Sequence, residues 1–181
     1  MLGDFITIAE AETYNILRIR AMETRETATM PTDDRYLALP DRFAEMRKMQ
    51  LDTAPRHDII SATLESLGEL GNTVPGKPLF FAVTSQLNFD RKSDSAYTVV
   101  MWLYKKFAAL SDSNTSNFMT TTQPHILLWG SMWQFYDYIE DDKNSQKYEA
   151  KWRGAIDRLN KSDKKGRFGP APAARSERPT P

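Results

Sequence analysis

From Ala96 to Phe107 the chain reads as a strand that is apolar on both faces: Tyr97, Val99, Met101 and Leu103 alternate with Thr98, Val100, Trp102 and Tyr104. Successive side chains of a strand point to opposite sides, so each side of this one needs its own cover from water. The segment is either central in a sheet covered on both faces or one half of a contact between subunits. Any fold for this chain must find neighbours for Val99, Met101, Trp102 and Leu103.

Nearby segments can pair with it. Ile19 to Met30 sets Met22, Thr24, Ala28 and Met30 in alternate positions and is rich in threonine, which favours a strand. Pro31-Thr32-Asp33-Asp34 makes a turn. Tyr36 to Leu39 reads as a second short strand that Pro40 stops, and Glu45 to Leu51 as a third. A small helix is expected between Ser61 and Leu70, and Gly68, Gly71, Asn72, Pro75, Gly76 and Pro78 punctuate the longest irregular stretch. Leu79 to Thr84 and Leu87 to Phe89 add two strands, with polar turns at Ser85-Gln86 and Asp90 to Ser95.

The two ends of the chain read as helical. Phe5, Ile8, Ala9, Ala11, Tyr14 and Leu17 recur at three- and four-residue spacings, predicting a short helix from Asp4 to about Arg18. After a polar linker from Ser111 to Asn117, Pro124 falls in the first turn of a helix running to about Ile139. Ile126, Leu127, Trp129, Met132, Trp133, Phe135, Tyr136 and Ile139 make its apolar stripe too wide for a helix with one exposed face, so it must be buried on more than one side. Beyond an Asp141-Asp142 turn, Tyr148, Trp152, Ile156 and Leu159 form a narrow seam on an otherwise charged helix from about Ser145 to Lys161. The two helices are expected to pair as an antiparallel hairpin. By their spacing, Trp129, Trp133, Tyr136 and Trp152 are core or subunit-interface residues rather than a ligand-stacking site, and no basic residue interleaves with them between Gln123 and Glu140.

The predicted fold class is α+β. A helical body, built from an N-terminal helix (1–18) and a C-terminal helical hairpin (111–161), carries an inserted antiparallel β-rich domain (19–110) and an extended C-terminal tail (162–181). The tail consists of Gly, Pro, Ala and charge, which by itself is the composition of disorder.

Composition removes several function classes. Lys and Arg number 24, as do Asp and Glu, so no overall field draws the chain to nucleic acid or an anionic membrane, and any DNA contact is expected to be local or weak. Cysteine is absent, which excludes disulfides, thiolate metal sites and cysteine nucleophiles. No window approaches the roughly 20 apolar residues of a membrane span, and no signal peptide is legible at the start. His57 and His125 lie in no metal-binding motif and read as a strand-edge or helix-start histidine. No nucleophile elbow, phosphate-binding loop or dinucleotide fingerprint occurs. The carboxylate pairs Asp33-Asp34, Asp141-Asp142 and Glu65 with Glu69 have the spacing of turns and solvated helix faces. Lys164-Lys165-Gly166-Arg167 fits a DNA contact, a solvated helix stop or an acidic protein surface equally well.

Three stretches, taken together and in this order, resemble the head-to-tail adaptor, or connector, proteins of tailed phages. The first carries Ala21-Met22-Glu23-Thr24-Arg25, then Tyr36 to Phe43 and Glu45-Met46-Arg47. The second is Ala109 to Asn117, and the third runs from Pro124 through Leu127-Leu128, Trp129-Gly130 and Asp141-Asp142 to Tyr148, Trp152 and Leu159-Asn160. They span about three quarters of the chain, and their specificity lies in order and spacing. The chain departs from the family pattern at its start, where the family has a further helix before the one placed at Asp4.

The resemblance implies a non-enzymatic subunit of a ring, commonly twelvefold, in the neck of a virion assembled in the host cytoplasm. Such a ring sits between the portal protein and a tail or nozzle protein, and double-stranded DNA crosses its channel without sequence-specific contact. It implies no cofactor, metal or catalytic residue, and no membrane. Adaptors of this kind grip the portal through their C-terminal segment, here Arg167, Phe168, Pro170, Pro172, Arg175 and Arg178. Two other readings are a tail-associated peptidoglycan hydrolase, with Asp41, Glu45, Glu65 and Asp141 as the carboxylates to examine, and a DNA-binding assembly protein, against which the lack of a basic face counts.

Overall fold

The computed structural model describes residues 2–70 and 74–168. In chain order the elements are α1 (Leu2–Ile16), β1 (Glu23–Met30), β2 (Tyr36–Ala38), β3 (Phe43–Leu51), β4 (His57–Ser61), α2 (Leu64–Leu70), β5 (Phe80–Val83), β6 (Gln86–Phe89), β7 (Tyr97–Lys105), α3 (Phe118–Thr122), α4 (Pro124–Tyr138) and α5 (Asp142–Phe168). The class is α+β. The chain divides into two units: Met22–Lys106 folds as a sheet, and the segments on either side of it come together as helices.

In the sheet unit the order is β1-β7-β3-β4-β5-β6-β2, antiparallel throughout except for the β4–β5 pair. β7 lies between β1 and β3, which accounts for half of its two-faced apolarity. Tyr97, Val99, Met101 and Leu103 face a core that also holds Met30, Met49, Leu51 and Ile59, together with Phe81, Leu87 and Phe89 from the far end of the sheet. Strands from both ends therefore close on one cluster. The opposite side is roofed by long polar side chains of the flanking strands. Arg25 lies over Trp102 with its guanidinium carbon 5.9 Å from the ring centre, and Arg47 lies 5.6 Å from that of Tyr104 while pairing with Glu23 at 2.6 Å. Arginine stems cover apolar surface and keep their charge in water, and Arg47 in this way helps to bury Tyr104.

β4 was not expected from the sequence. With Ile59 buried and Ile60 exposed, its short run HDIIS has too few residues to show a period. The strand expected from Ile19 starts instead at Glu23, after a single 3-10 turn over Arg20–Met22. His57 opens β4 and His125 lies in the first turn of α4, the edge positions the sequence suggested.

In the helical unit, α4 and α5 run antiparallel. Tyr136 stacks on Tyr148 with ring centres 5.3 Å apart, and Trp133 meets Trp152 at 5.0 Å. The connection is tight because Asp141 does two jobs. Its N–H bonds to the Tyr136 carbonyl while the Glu140 N–H bonds to that of Asp137, closing α4. Its side chain then accepts from the Asn144 N–H at 3.2 Å and the Asn144 amide at 2.7 Å, opening α5. These bonds hold the Asp141 carboxyl below the usual aspartate range. Asp142 follows as a first-turn acid, so α5 begins three residues before the predicted Ser145. Glu140 has φ 56°, a left-handed position that suits glycine. Glu140→Gly is expected to raise stability by about 0.5–1 kcal/mol in urea denaturation.

The extended tail placed from 162 is corrected over its first residues, since α5 continues to Phe168. Ser162-Asp163-Lys164-Lys165 contains no breaker, and the helix is held there by the segment that follows α1. Asp163 accepts from the Arg20 N–H at 3.0 Å and the Arg20 Nε at 3.1 Å, and Asn160 accepts from the Arg18 N–H at 3.0 Å. Gly169 to Pro181 lie outside the described residues.

Candidate interaction surface

One buried polar knot orders the helical unit. Glu10, 4% exposed, accepts hydrogen bonds from the Tyr14 hydroxyl at 2.8 Å, the Asn117 amide at 2.7 Å and the Leu110 N–H at 3.0 Å. The Asn117 side-chain oxygen meanwhile accepts from the Met119 and Thr120 N–H groups, and Thr120 returns a bond to the Asn117 N–H as a capping box. Asn114 closes the same loop on the Ala109 carbonyl at 2.7 Å. The polar stretch from Ala109 to Asn117 is therefore a latch that starts α3 and fastens it to α1. Neither α3 nor the role of Glu10 was read from the sequence: a five-residue helix has no visible period, and Glu10 reads as one polar residue among others. The Asn117…Thr120 spacing was the available signal.

Above this knot, α1, the loop from Leu110, α3 and α4 enclose a groove of about 1020 Å³. Ile6, Leu110, Leu127, Leu128, Met132 and Phe135 make its walls mostly apolar, with Asp4 and Asp112 among the lining residues. The over-wide stripe of α4 is explained by its surroundings. Gly130 lets α4 approach closely, since a Cβ there would stand 3.0 Å from the Ala9 Cβ and 3.1 Å from Cδ1 of Trp152. Trp133 and Tyr136 meet α5, and Phe135 and Tyr138 meet Phe5 at 6.0 and 5.7 Å. A third side remains open: Leu128 is 59% exposed, Phe135 40%, Tyr138 60% and Ile139 48%. Leu128, Phe135 and Ile139 are seven and four residues apart and so lie in one line beside the groove.

Of the residues assigned to core or interface from the sequence, Val99, Met101 and Leu103 are enclosed in the sheet unit and Trp152 in the helical unit. Trp102, Trp129, Trp133 and Tyr136 are partly buried. Leu128, Tyr138 and Ile139, which the structure leaves open, were not in that set. Arg167 and Phe168 end α5, while Pro170, Pro172, Arg175 and Arg178 lie outside the described residues.

The carboxylates considered for hydrolysis are divided between the two units. Asp41, Glu45 and Glu65 belong to the sheet unit and Asp141 to the helical one. Asp41 pairs with Arg42 at the surface, and Asp141 is held ionised by its capping bonds. Among the described residues no group of three His, Asp or Glu side chains is placed to hold a metal ion, and no helix is long and apolar enough to cross a membrane. The expected lack of a basic face is corrected: on α5, Lys143, Lys147, Lys151, Arg158, Lys161 and Lys165 are all exposed and recur at helical spacing.

Residues 1–176 match the family model described as SU10 adaptor protein. No curated protein matches the chain.

Proposed function

The chain belongs to the SU10 adaptor protein family, a phage head-to-tail adaptor family of structural proteins, and from that premise we propose that it is one subunit of a ring between portal and tail. In this reading the ring is twelvefold and genomic DNA crosses its channel. The C-terminal segment with Arg167, Phe168, Pro170, Pro172, Arg175 and Arg178 grips the portal, and a tail or nozzle protein meets the other side. Assembly takes place in the host cytoplasm and the ring resides in the virion neck.

The observation that carries the ring is the line Leu128, Phe135 and Ile139 with Tyr138, four large apolar side chains left open beside an apolar groove. A contiguous patch of this kind on a soluble subunit marks a protein contact, and a neighbouring copy would bury it. The double variant L128D/I139D is expected to stay folded by circular dichroism, because both side chains are exposed in the subunit, yet to abolish rings in sedimentation and negative-stain images. Rings that persist in that variant would count against this surface. Removing 167–181 is expected to leave rings intact and to eliminate portal binding. Full portal binding by the truncated chain would refute the assignment of the grip to that segment.

A further inference from the structure

We propose that the outward side of α5 is a track for the phosphate backbone of duplex DNA. Lys143, Lys147, Lys151, Arg158, Lys161 and Lys165 follow one another at intervals of four, four, seven, three and four along a 27-residue helix. At about 100° per residue these intervals hold all six cations within an arc of about 80°, extending over about 33 Å of helix axis. Residue 154 falls in the same arc and is a glycine, so no side chain of another kind interrupts the row. The seam formed by Trp152, Ala155 and Ile156 falls outside this arc and is buried, and all six cations are exposed.

The acids of α5 are placed elsewhere. Asp142, Glu149, Asp157 and Asp163 all fall outside the arc by the same helical geometry. Glu149 pairs with Arg153 at 2.8 Å and Asp163 with Arg20 at 3.1 Å. Among the described residues none of the six is in an ion pair, although Lys143 stands near enough to Asp141 to help lower its pKa. The chain has a formal net charge of zero, so this row reflects placement rather than composition.

The make-up of the row selects the partner. Five of its six members are lysines; Lys147 stands 5.6 Å from the Tyr148 ring centre, and Lys151 stands 5.2 Å from that of Tyr148 and 6.0 Å from that of Trp129. Protein contact surfaces are depleted in lysine, so an acidic protein is the poorer match. A lysine ammonium is a strongly hydrated point charge on a flexible stem, and a regular row of them fits an evenly charged polymer bound without sequence preference. Assigning that polymer to the genome in transit rests on the ring reading above. The binding itself does not.

The test uses the full chain and a fluorescein-labelled duplex of arbitrary sequence, with anisotropy measured across a salt series. Binding at low salt is expected, indifferent to sequence, with a slope of log affinity against log salt near −5 if all six cations engage. K147Q/K151Q/R158Q/K161Q should weaken binding at least tenfold and bring the slope to about −2, with an unchanged circular dichroism spectrum, whereas K164Q, outside the arc, should leave both unchanged. The proposal is overturned by no binding at low salt, by a slope that survives the fourfold variant, or by polyglutamate displacing the duplex at equal charge concentration. Sedimentation in the same buffer separates the two readings. Rings that do not bind duplex defeat the track alone, and duplex binding by a chain that never forms rings upholds the track while the ring reading fails.

Discussion

Trp152→Ala is expected to cost about 3–5 kcal/mol and to unfold the helical unit at ordinary temperature. Trp152 is 1% exposed and its ring lies 5.0 Å from that of Trp133, at the point where the absent side chain of Gly130 lets the helices meet. Its indole N–H donates to the Thr13 hydroxyl at 3.1 Å, and that hydroxyl donates in turn to the Ala9 carbonyl at 2.7 Å. Alanine would leave a cavity against three helices and take away the indole donor to the Thr13 hydroxyl, which is fully buried. Trp152→Phe keeps most of the ring and loses the N–H bond, so a smaller loss of about 1 kcal/mol is expected. Urea denaturation followed by far-ultraviolet circular dichroism measures both. A Trp152→Ala protein as stable as the parent would show that this junction is not what holds the helices.

Glu10→Ala is expected to destabilise by about 3 kcal/mol, because it leaves the Tyr14 hydroxyl, the Leu110 N–H and one Asn117 bond without their acceptor in a buried site. Glu10→Gln should also destabilise: its amide would present a donor to the Leu110 N–H or to the Tyr14 and Asn117 donors. The knot has a signature in alkali. Burial first, and then the bond to Glu10, push the Tyr14 phenol well above its ordinary value of 10.0. A folded-state pKa raised in this way gives stability that is fully present below pH 10 and declines as pH rises beyond it, because the unfolded phenol ionises first. Denaturation midpoints should fall above pH 10, and Tyr14→Phe should remove that part of the fall. An identical alkaline decline in Tyr14→Phe would assign it to other groups.

Long periodic segments were legible in the sequence because one neighbour decides their pattern. β7, apolar twice over, was legible as a strand needing cover on both faces, in a sheet or at a subunit contact, and the stripe on α5 announced its seam through Trp152. What covers the second face of β7 was hidden, since Arg25 and Arg47 are read as solvent residues until their stems are seen over Trp102 and Tyr104. The end of α5 was misread because composition near Gly166 and Pro170 suggested disorder, whereas the bonds of Asp163 and Asn160 to residues before Ala21 are long-range and leave no local trace. That misreading also shortened the basic row: a helix from Ser145 to Lys161 holds Lys147, Lys151, Arg158 and Lys161 in phase but leaves Lys143 and Lys165 outside it. The open line on α4 was legible only in part: Phe135 and Ile139 fell in the over-wide stripe and Leu128 did not, since hydrophobicity alone cannot tell Trp133, which meets a partner ring, from Leu128, which is left open.

The pairing of Glu23 with Tyr104 brings the first residue of β1 beside the end of β7. The helices are thus joined through about 85 residues whose two ends are neighbours once the strands have zipped. Bringing α1 to α4 across that length of free chain costs roughly 2–3 kcal/mol more in configurational entropy than doing so across about five residues. The sheet shortens the tether on which the helical core depends, and the chain gains most by knotting its middle before its ends.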